Sequence, residues 1–171
     1  MLLPLIKIFK LLERMEKENV LTKWAVGGAI GCMFYTEPFF TKDIDVFIYV
    51  QPAGSGLIDM SPIFDWLKCK GYKKFEGQSI IIEEWKVDFI PASAGLVEEA
   101  VEKAKTVEAG EARIRIMSAE HLIAIALHVG RKQDYAKIEK ILQQGNVDKN
   151  KMARILKKFD LYKKWELYEN T

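Results

Sequence analysis

Residues 24 to 48 read WAVGGAIGCMFYTEPFFTKDIDVFI, and this stretch decides the fold. A short apolar strand ends at the pair Gly27-Gly28, and a second strand begins at Asp43-Ile44-Asp45. Side chains alternate along a strand, so we expect Asp43 and Asp45 on one face and Ile44 on the other. Two adjacent carboxylates repel each other unless a cation lies between them, and an oxygen-only pair suits Mg²⁺ bound to phosphates.

A third acid, Asp88, also lies in a short run that is predicted to be a strand. Asp88 lies between Val87 and Phe89 in another short run, and alternation places it on the face opposite to those neighbours. If this strand lies beside the first, three carboxylates converge. They would be enough to hold two ions about 3.5–4 Å apart, the arrangement that promotes in-line phosphoryl displacement. Acids at strand starts also occur as solvated edges or as isolated calcium contacts, and these alternatives remain open.

The glycine pair fits a phosphate-binding turn. Gly27-Gly28 lies between the first strand and a run at 29–35 that is typical of a short helix. Glycine allows the backbone to approach a phosphate closely, and the N–H groups at a helix start point towards an anion. Many glycine pairs only form turns, so the phosphate-binding interpretation of this pair depends on the acids that follow it.

These motifs together resemble the nucleotidyltransferase superfamily of the polymerase-beta type. The segment PFFTKDID at 38–45 is similar to the Pro-Arg-x-Thr-x-Asp-Ile-Asp pattern of small bacterial and archaeal nucleotidyltransferases, which include the abortive-infection toxin group. The segment IMSAEHLIAIALHVGRKQD at 116–134 is similar to a helix of that group. The resemblance covers residues 21 to 143.

The resemblance implies a role for each matching residue. Asp43 and Asp45 would bind the metal ions, and Asp88 would bind one ion and help to deprotonate the acceptor hydroxyl. The resemblance assigns the nucleotide contacts of the family to Gly27, Gly28, Thr41 and Arg131. A cation such as Arg131 is also favourable near the end of a helix without any ligand, so its phosphate role is one of two interpretations.

Two positions that are cationic in the family are apolar in this chain, namely Phe39 and Ala126. Arg131, Lys132 or Lys42 would then have to supply the missing phosphate contacts. The same departure favours a second hypothesis, in which the protein is a nucleotide-binding, catalytically weak or inactive member that acts as an interaction or toxin–antitoxin module.

The order of the predicted elements, with strands early and helices late, indicates an α+β (mixed α/β) fold. The resemblance implies a nucleotidyltransferase-like mixed sheet flanked by helices. We expect a nucleotidyltransferase-like core at 1–117 and a C-terminal helical region at 118–171 packed on it. The implied reaction transfers a nucleoside monophosphate from an NTP to a hydroxyl of RNA, protein or a small molecule, with two Mg²⁺ ions. An antitoxin partner and a homodimer that completes the cleft are further expectations.

Composition agrees with an ordinary globular protein. The chain has 171 residues, of which 49% are hydrophobic and 29% charged, and this argues against disorder. A net charge of +2 is too small to indicate a general electrostatic attraction to nucleic acid. The apolar run at 122–127 is too short to span a bilayer. Cys32 and Cys69 each lie in a predicted helix without close partners, so we expect a reduced, cytoplasmic protein with no membrane contact.

Periodicity and turn residues predict the remaining elements. Ser118 is expected to cap a helix that Gly130 ends. The predicted helices are 2–18, 61–70, 94–105, 119–129 and 134–144, with one or two more between 148 and 168. The predicted strands are 23–26, 43–50, 72–75, 79–84, 86–90 and 112–116, and 51–56 is predicted to be a loop.

Overall fold

The computed structural model describes residues 2–38, 40–49, 58–92 and 95–170. Its helices are α1 (Leu2–Lys17), α2 (Gly28–Cys32), α3 (Ser61–Cys69), α4 (Leu96–Glu102), α5 (Ala119–Val129), α6 (Lys132–Gln144), α7 (Lys149–Lys158) and α8 (Tyr162–Glu169). Its strands are β1 (Lys23–Val26), β2 (Asp43–Tyr49), β3 (Phe75–Glu76), β4 (Ser79–Ile82), β5 (Trp85–Pro91), β6 (Lys105–Ala109) and β7 (Ala112–Ile116).

The strands form one mixed sheet, which confirms the predicted fold class. Their order is β3-β4-β5-β2-β1-β7-β6. β2 lies at the centre, antiparallel to β1 and parallel to β5. β1 in turn pairs parallel with β7. The two strands that carry the acids are therefore neighbours, which is the condition for the three carboxylates to converge.

Each face of the sheet is covered by its own hydrophobic core. Ile44 and Val46 of β2 pack in a cluster with residues of α1 and α3. Phe47, on the other face, packs in a second cluster with residues of α4 to α8. Because side chains alternate, Asp43 and Asp45 lie on the same face as Phe47. The acids therefore face the side of the sheet that carries the C-terminal helices.

The ends of α5 are those that the sequence predicts. The Ser118 side chain accepts a hydrogen bond from the backbone N–H of His121, and Gly130 ends the helix in the left-handed conformation with φ 71°. Asp148 caps α7 in the same way, through the backbone N–H of Lys151 at 2.9 Å. Polar caps of this kind satisfy N–H groups that a helix leaves without partners.

Some predicted bounds differ from the structure. Strand β6 was not predicted, because the helix expected at 94–105 covered its first residue. It forms a hairpin with β7 across Gly110, and the strand's own sequence does not show this pairing. α6 begins at Lys132 because Arg131 and Asp134 form a capping box at its start. The loop predicted at 51–56 lies outside the described residues, as does Phe39. In the described residues no helix is long and apolar enough to cross a membrane.

A buried polar network ties the C-terminal helices together. Glu99 of α4 contacts His121 Nε2 at 3.4 Å and accepts hydrogen bonds from Lys103, at 3.0 Å, and from Lys158 of α7. The other ring nitrogen of His121 lies 2.9 Å from Ser118 Oγ. Burial acts to raise the pKa of Glu99, but hydrogen bonds from Lys158, Lys103 and His121 outweigh it and hold the pKa at about 2. Burial lowers the pKa of His121, although Glu99 acts in the opposite direction.

We expect the free energy of unfolding to fall on acidification. His121 contributes stability that is fully present above its unfolded pKa of about 6.5 and is lost as pH falls below it, because its folded pKa is lower. The contribution of Glu99 is lost between about pH 4.5 and 2. A tenfold difference between the folded and unfolded acid constants of a group corresponds to about 1.4 kcal/mol. Urea unfolding between pH 8 and 5 measures the first effect.

His121→Gln should flatten the pH dependence of the urea midpoint between pH 6.5 and 5. His128→Gln is the matched control, because His128 is the exposed histidine on the same helix. Equal pH dependence in wild type and His121→Gln would contradict the assignment.

Candidate active site

The three acids lie on two neighbouring parallel strands. In the register of β2 and β5, Asp45 is directly opposite Asp88, and Asp43 is opposite Lys86. Val87 and Phe89 pack in the cluster on the other side of the sheet, so Asp88 lies on the same face as Asp43 and Asp45. The fold therefore brings together carboxylates that are more than forty positions apart in the sequence.

Asp45 is the central acid of this group. Burial raises its pKa, and the negative charges of Asp88 and Asp43 act in the same direction. Lys137 and Arg131 act in the opposite direction and favour the carboxylate. Asp45 is thus held where a negative charge is costly and where a nearby cation would be stabilising.

The glycine pair packs against Asp45 and its strand. Gly28 has φ +55°, and a Cβ built on it would lie 1.7 Å from Asp45 Oδ2. At Gly27 a Cβ would lie 2.6 Å from Phe47 Cε2. The backbone N–H of Gly27 donates to the carbonyl of Asp45 at 3.0 Å. Position 28 therefore has no room for a side chain, because the carboxylate of Asp45 occupies that space.

A cleft of about 500 Å³ opens beside Gly28 and Asp45. Its walls come from both predicted regions, with the sheet on one side and α5 and α6 on the other. The charged residues of its described lining are Asp45, Arg131, Asp134 and Lys137, and His128 also lines it. The apolar residues include Phe47, Ile90, Met117, Leu122, Ile125 and Phe159. A mostly apolar cleft with a few convergent polar groups is typical of a ligand site.

A buried carboxylate organises the cations of the cleft. Arg131 donates from Nε to Asp134 Oδ2 at 2.8 Å and from Nη2 to Oδ1 at 3.3 Å. Lys137 Nζ donates to Asp134 Oδ1 at 3.1 Å. Burial acts to raise the pKa of Asp134, but the hydrogen bonds from Arg131 and Lys137 outweigh it and lower the pKa. Sequence reasoning missed Lys137, because only the packing of α6 on α5 and α2 brings it to the same cleft as Asp45.

The other predicted contacts lie at the edge of the site. Thr41 Oγ1 accepts a hydrogen bond from the backbone N–H of Asp43 at 3.1 Å, so it fixes the start of β2. Lys42 is exposed, and neither it nor Thr41 lines the cleft. Asp43 and Asp88 are also not among the residues that line it. Sequence reasoning missed Lys86, which lies opposite Asp43 and pairs with Glu76 at 2.8 Å.

The donor set suits Mg²⁺ in its chemistry. Asp45 and Asp88 offer oxygen atoms from neighbouring strands, and Asp43 is two residues away on the same face. The repulsion that raises the pKa of Asp45 is the condition that a divalent cation relieves. Among the described residues, however, no three or more His, Cys, Asp or Glu side chains are gathered closely enough to hold an ion. The set is therefore compatible with a metal but is not preassembled.

Comparison with known proteins identifies the family. The model of the family "Nucleotidyl transferase of unknown function (DUF2204)" matches residues 5–170. A search among curated proteins returned no match.

Solved structures share the fold. The crystal structure of an antigenic nucleotidyltransferase-like protein from Paracoccidioides brasiliensis has a TM-score of 0.59 at 13% identity, covering 81% of this chain and 74% of that one. The solution structure of the antibiotic-resistance factor ANT(2'')-Ia has a TM-score of 0.55 at 13% identity, covering 99% of both chains. A crystal structure of ANT(2'')-Ia in complex with adenylyl-2''-tobramycin has a TM-score of 0.53 at 14% identity, covering 90% of this chain and 97% of that one.

At these identities the structures show a common fold, while the family match covers nearly the whole chain. The predicted membership of the nucleotidyltransferase superfamily is therefore confirmed, and the chain belongs to the nucleotidyltransferase family DUF2204.

Proposed function

We propose that this protein transfers a nucleoside monophosphate from an NTP to a hydroxyl acceptor and releases pyrophosphate. The observation that carries the proposal is the register of β2 and β5, which sets Asp45 beside Asp88 on the face that borders the cleft. Family membership supports the same class of reaction.

The acids would hold Mg²⁺ through Asp43, Asp45 and Asp88. When bound, the metal would neutralise the charge of the triphosphate and of the leaving pyrophosphate. Asp88 is proposed to accept the proton of the acceptor hydroxyl, because a positioned carboxylate is an effective general base. Gly27 and Gly28 would present backbone rather than a side chain to the phosphates, and the apolar walls of the cleft would exclude water from the reacting groups.

The charges of the cleft favour some acceptors over others. In its described lining the acids are Asp45 and Asp134, and Asp134 already pairs with Arg131 and Lys137. A polycationic acceptor such as tobramycin would find few partners there and would meet two cations. We therefore favour a neutral or anionic acceptor, such as the end of an RNA or a protein hydroxyl, over an aminoglycoside.

Transfer is tested with each labelled NTP, Mg²⁺ and a panel of acceptors that includes RNA, protein and tobramycin. We expect label transfer by the wild type and a loss of at least about 100-fold in Asp88→Asn, because one metal ligand and the general base are removed together. Asp65→Asn is the matched control, since Asp65 is an exposed acid of α3, which packs on the opposite face of the sheet. Absence of transfer by the wild type to every acceptor, or full activity in Asp88→Asn, would contradict the proposal.

A second candidate function is nucleotide binding without turnover. It is favoured by one observation, that the acids of the described residues are not gathered into a metal cluster. In that case the protein would act through a partner, such as an antitoxin or a second copy of this chain. Calorimetry discriminates the two functions, since tight NTP binding in Mg²⁺ with no pyrophosphate release would favour the binding module.

A further inference from the structure

Lys137 combines properties that a solvated surface lysine lacks. Its side chain is only 17% exposed, and it lines the cleft together with Gly28 and Asp45. It is also close enough to Asp45 to lower the pKa of that carboxylate. Its ammonium therefore lies inside the cleft and not in bulk solvent.

Asp134 fixes the position of this ammonium. The Asp134 side chain is 4% exposed and lies one helical turn before Lys137 on α6. Its two oxygens accept hydrogen bonds from Lys137 and from two nitrogens of Arg131. Asp134 therefore remains paired by Arg131 without Lys137, so neutralising Asp134 does not by itself account for the lysine. An ammonium has three N–H donors, and Asp134 takes one of them.

The two cations differ in how they are placed. The Arg131 side chain is 62% exposed and commits two of its nitrogens to Asp134. Lys137 is the more enclosed of the pair and exerts the larger influence on Asp45. A compact ammonium at this depth suits a phosphate that has entered the cleft, whereas the guanidinium at the rim suits steering or a more exposed phosphate oxygen.

We propose that Lys137 contacts the triphosphate of the bound nucleotide, with Asp134 as the residue that positions it. This inference rests on the proposed function. It assigns the principal phosphate-binding cation to Lys137 of α6, rather than to Lys42 or Lys132, both of which are exposed.

The test measures binding and not only transfer. Affinity is determined by calorimetry for the NTP that the wild type binds best, for its monophosphate and for inorganic triphosphate, with Mg²⁺ present. Lys137→Met should weaken NTP and inorganic triphosphate binding about 10- to 100-fold, the range for loss of a hydrogen bond from a charged group. Binding of the monophosphate should change by less than about threefold, because the proposed contact is to the part of the triphosphate that a monophosphate lacks.

Two further variants separate charge from folding. Lys137→Gln keeps a hydrogen-bond donor for Asp134 and should lose NTP affinity like Lys137→Met, whereas Lys137→Arg keeps the charge and should retain most of it. Lys68→Met is the matched control, because Lys68 is an exposed lysine of α3 on the opposite face of the sheet, and it should bind NTP as the wild type does. Circular dichroism checks that each variant is folded.

The outcomes separate this inference from the function on which it rests. If the wild type binds no NTP and no inorganic triphosphate, the proposed function and the role of Lys137 both fail. If the wild type binds NTP and the methionine and glutamine variants bind it equally well, only the role of Lys137 fails. An equal loss for NTP and monophosphate would also overturn it, because that result indicates a general structural defect of the cleft.

Discussion

Asp45→Asn should inactivate the protein and make its metal-free form more stable. Transfer should fall at least about 100-fold, since the substitution removes the central proposed metal ligand. The stability of the metal-free form should rise because burial, together with the charges of Asp88 and Asp43, disfavours the carboxylate of Asp45. A residue kept for function at a cost in stability is a common feature of active sites.

The sign of the stability effect follows from the raised pKa of Asp45. A carboxyl whose folded pKa is raised binds its proton more tightly in the folded state, so its ionisation destabilises the fold as pH rises above the unfolded value of about 3.8. Asparagine does not ionise and removes this penalty, which is about 1.4 kcal/mol for a tenfold difference between the folded and unfolded acid constants. The gain should therefore appear at pH 7 and vanish near pH 3.

Thermal unfolding with and without Mg²⁺ measures both parts of this prediction. The wild type should gain stability from Mg²⁺, by about 2.7 kcal/mol when the ion is at 100 times its Kd, and Asp45→Asn should gain little. Asp65→Asn should behave as the wild type in both conditions. A variant at position 45 that keeps its activity and its response to Mg²⁺ would refute the assignment of the site.

Gly28→Ala should also reduce activity strongly, without removing any functional side chain. The new Cβ would lie 1.7 Å from Asp45 Oδ2, so either the carboxylate or the turn must move. Gly28 also has φ +55°, where a residue with a Cβ costs about 1–2 kcal/mol. We expect a loss of transfer of about 100-fold, because a displacement of about 1 Å at a reacting centre has an effect of that size.

Gly77→Ala separates the clash from the backbone strain. Gly77 has φ +63°, but no atom lies within 4 Å of a Cβ built there. This control should lose a similar amount of stability and keep its activity. If the two alanine variants were equally active, close packing of Gly28 on Asp45 would have no functional role. Gly28→Ser should behave like Gly28→Ala, because its Cβ would meet the same carboxylate oxygen of Asp45.

The sequence predicted the fold because its signals are local. Strand β1, the start of β2 and the whole of α5 were predicted at their observed bounds, since apolar alternation, Ser118 and Gly130 act within a few residues. Strand β6 was missed because it depends on pairing with β7, and a short exposed strand has little periodicity of its own.

The candidate site was predictable only in part, for a similar physical reason. Alternation placed Asp43, Asp45 and Asp88 on one face once their strands were known to be neighbours. Lys137 lies on a different element, and its approach to Asp45 depends on how α6 packs on α5 and α2. The contact of Glu99 with His121, which joins α4 to α5, was missed for the same reason. The spacing of residues along the sequence does not reveal such contacts between separate elements.

Because β2 pairs with β5, the position of the acids depends on the hydrophobic core. Ile44 and Val46, with Val87 and Phe89, hold the two strands in register from the α1 side of the sheet. A slip of one residue in either strand would turn its carboxylates to the opposite face. Natural selection on these aliphatic and aromatic residues is therefore also selection on the proposed chemistry, and a mutant with every acid intact could still be a null allele.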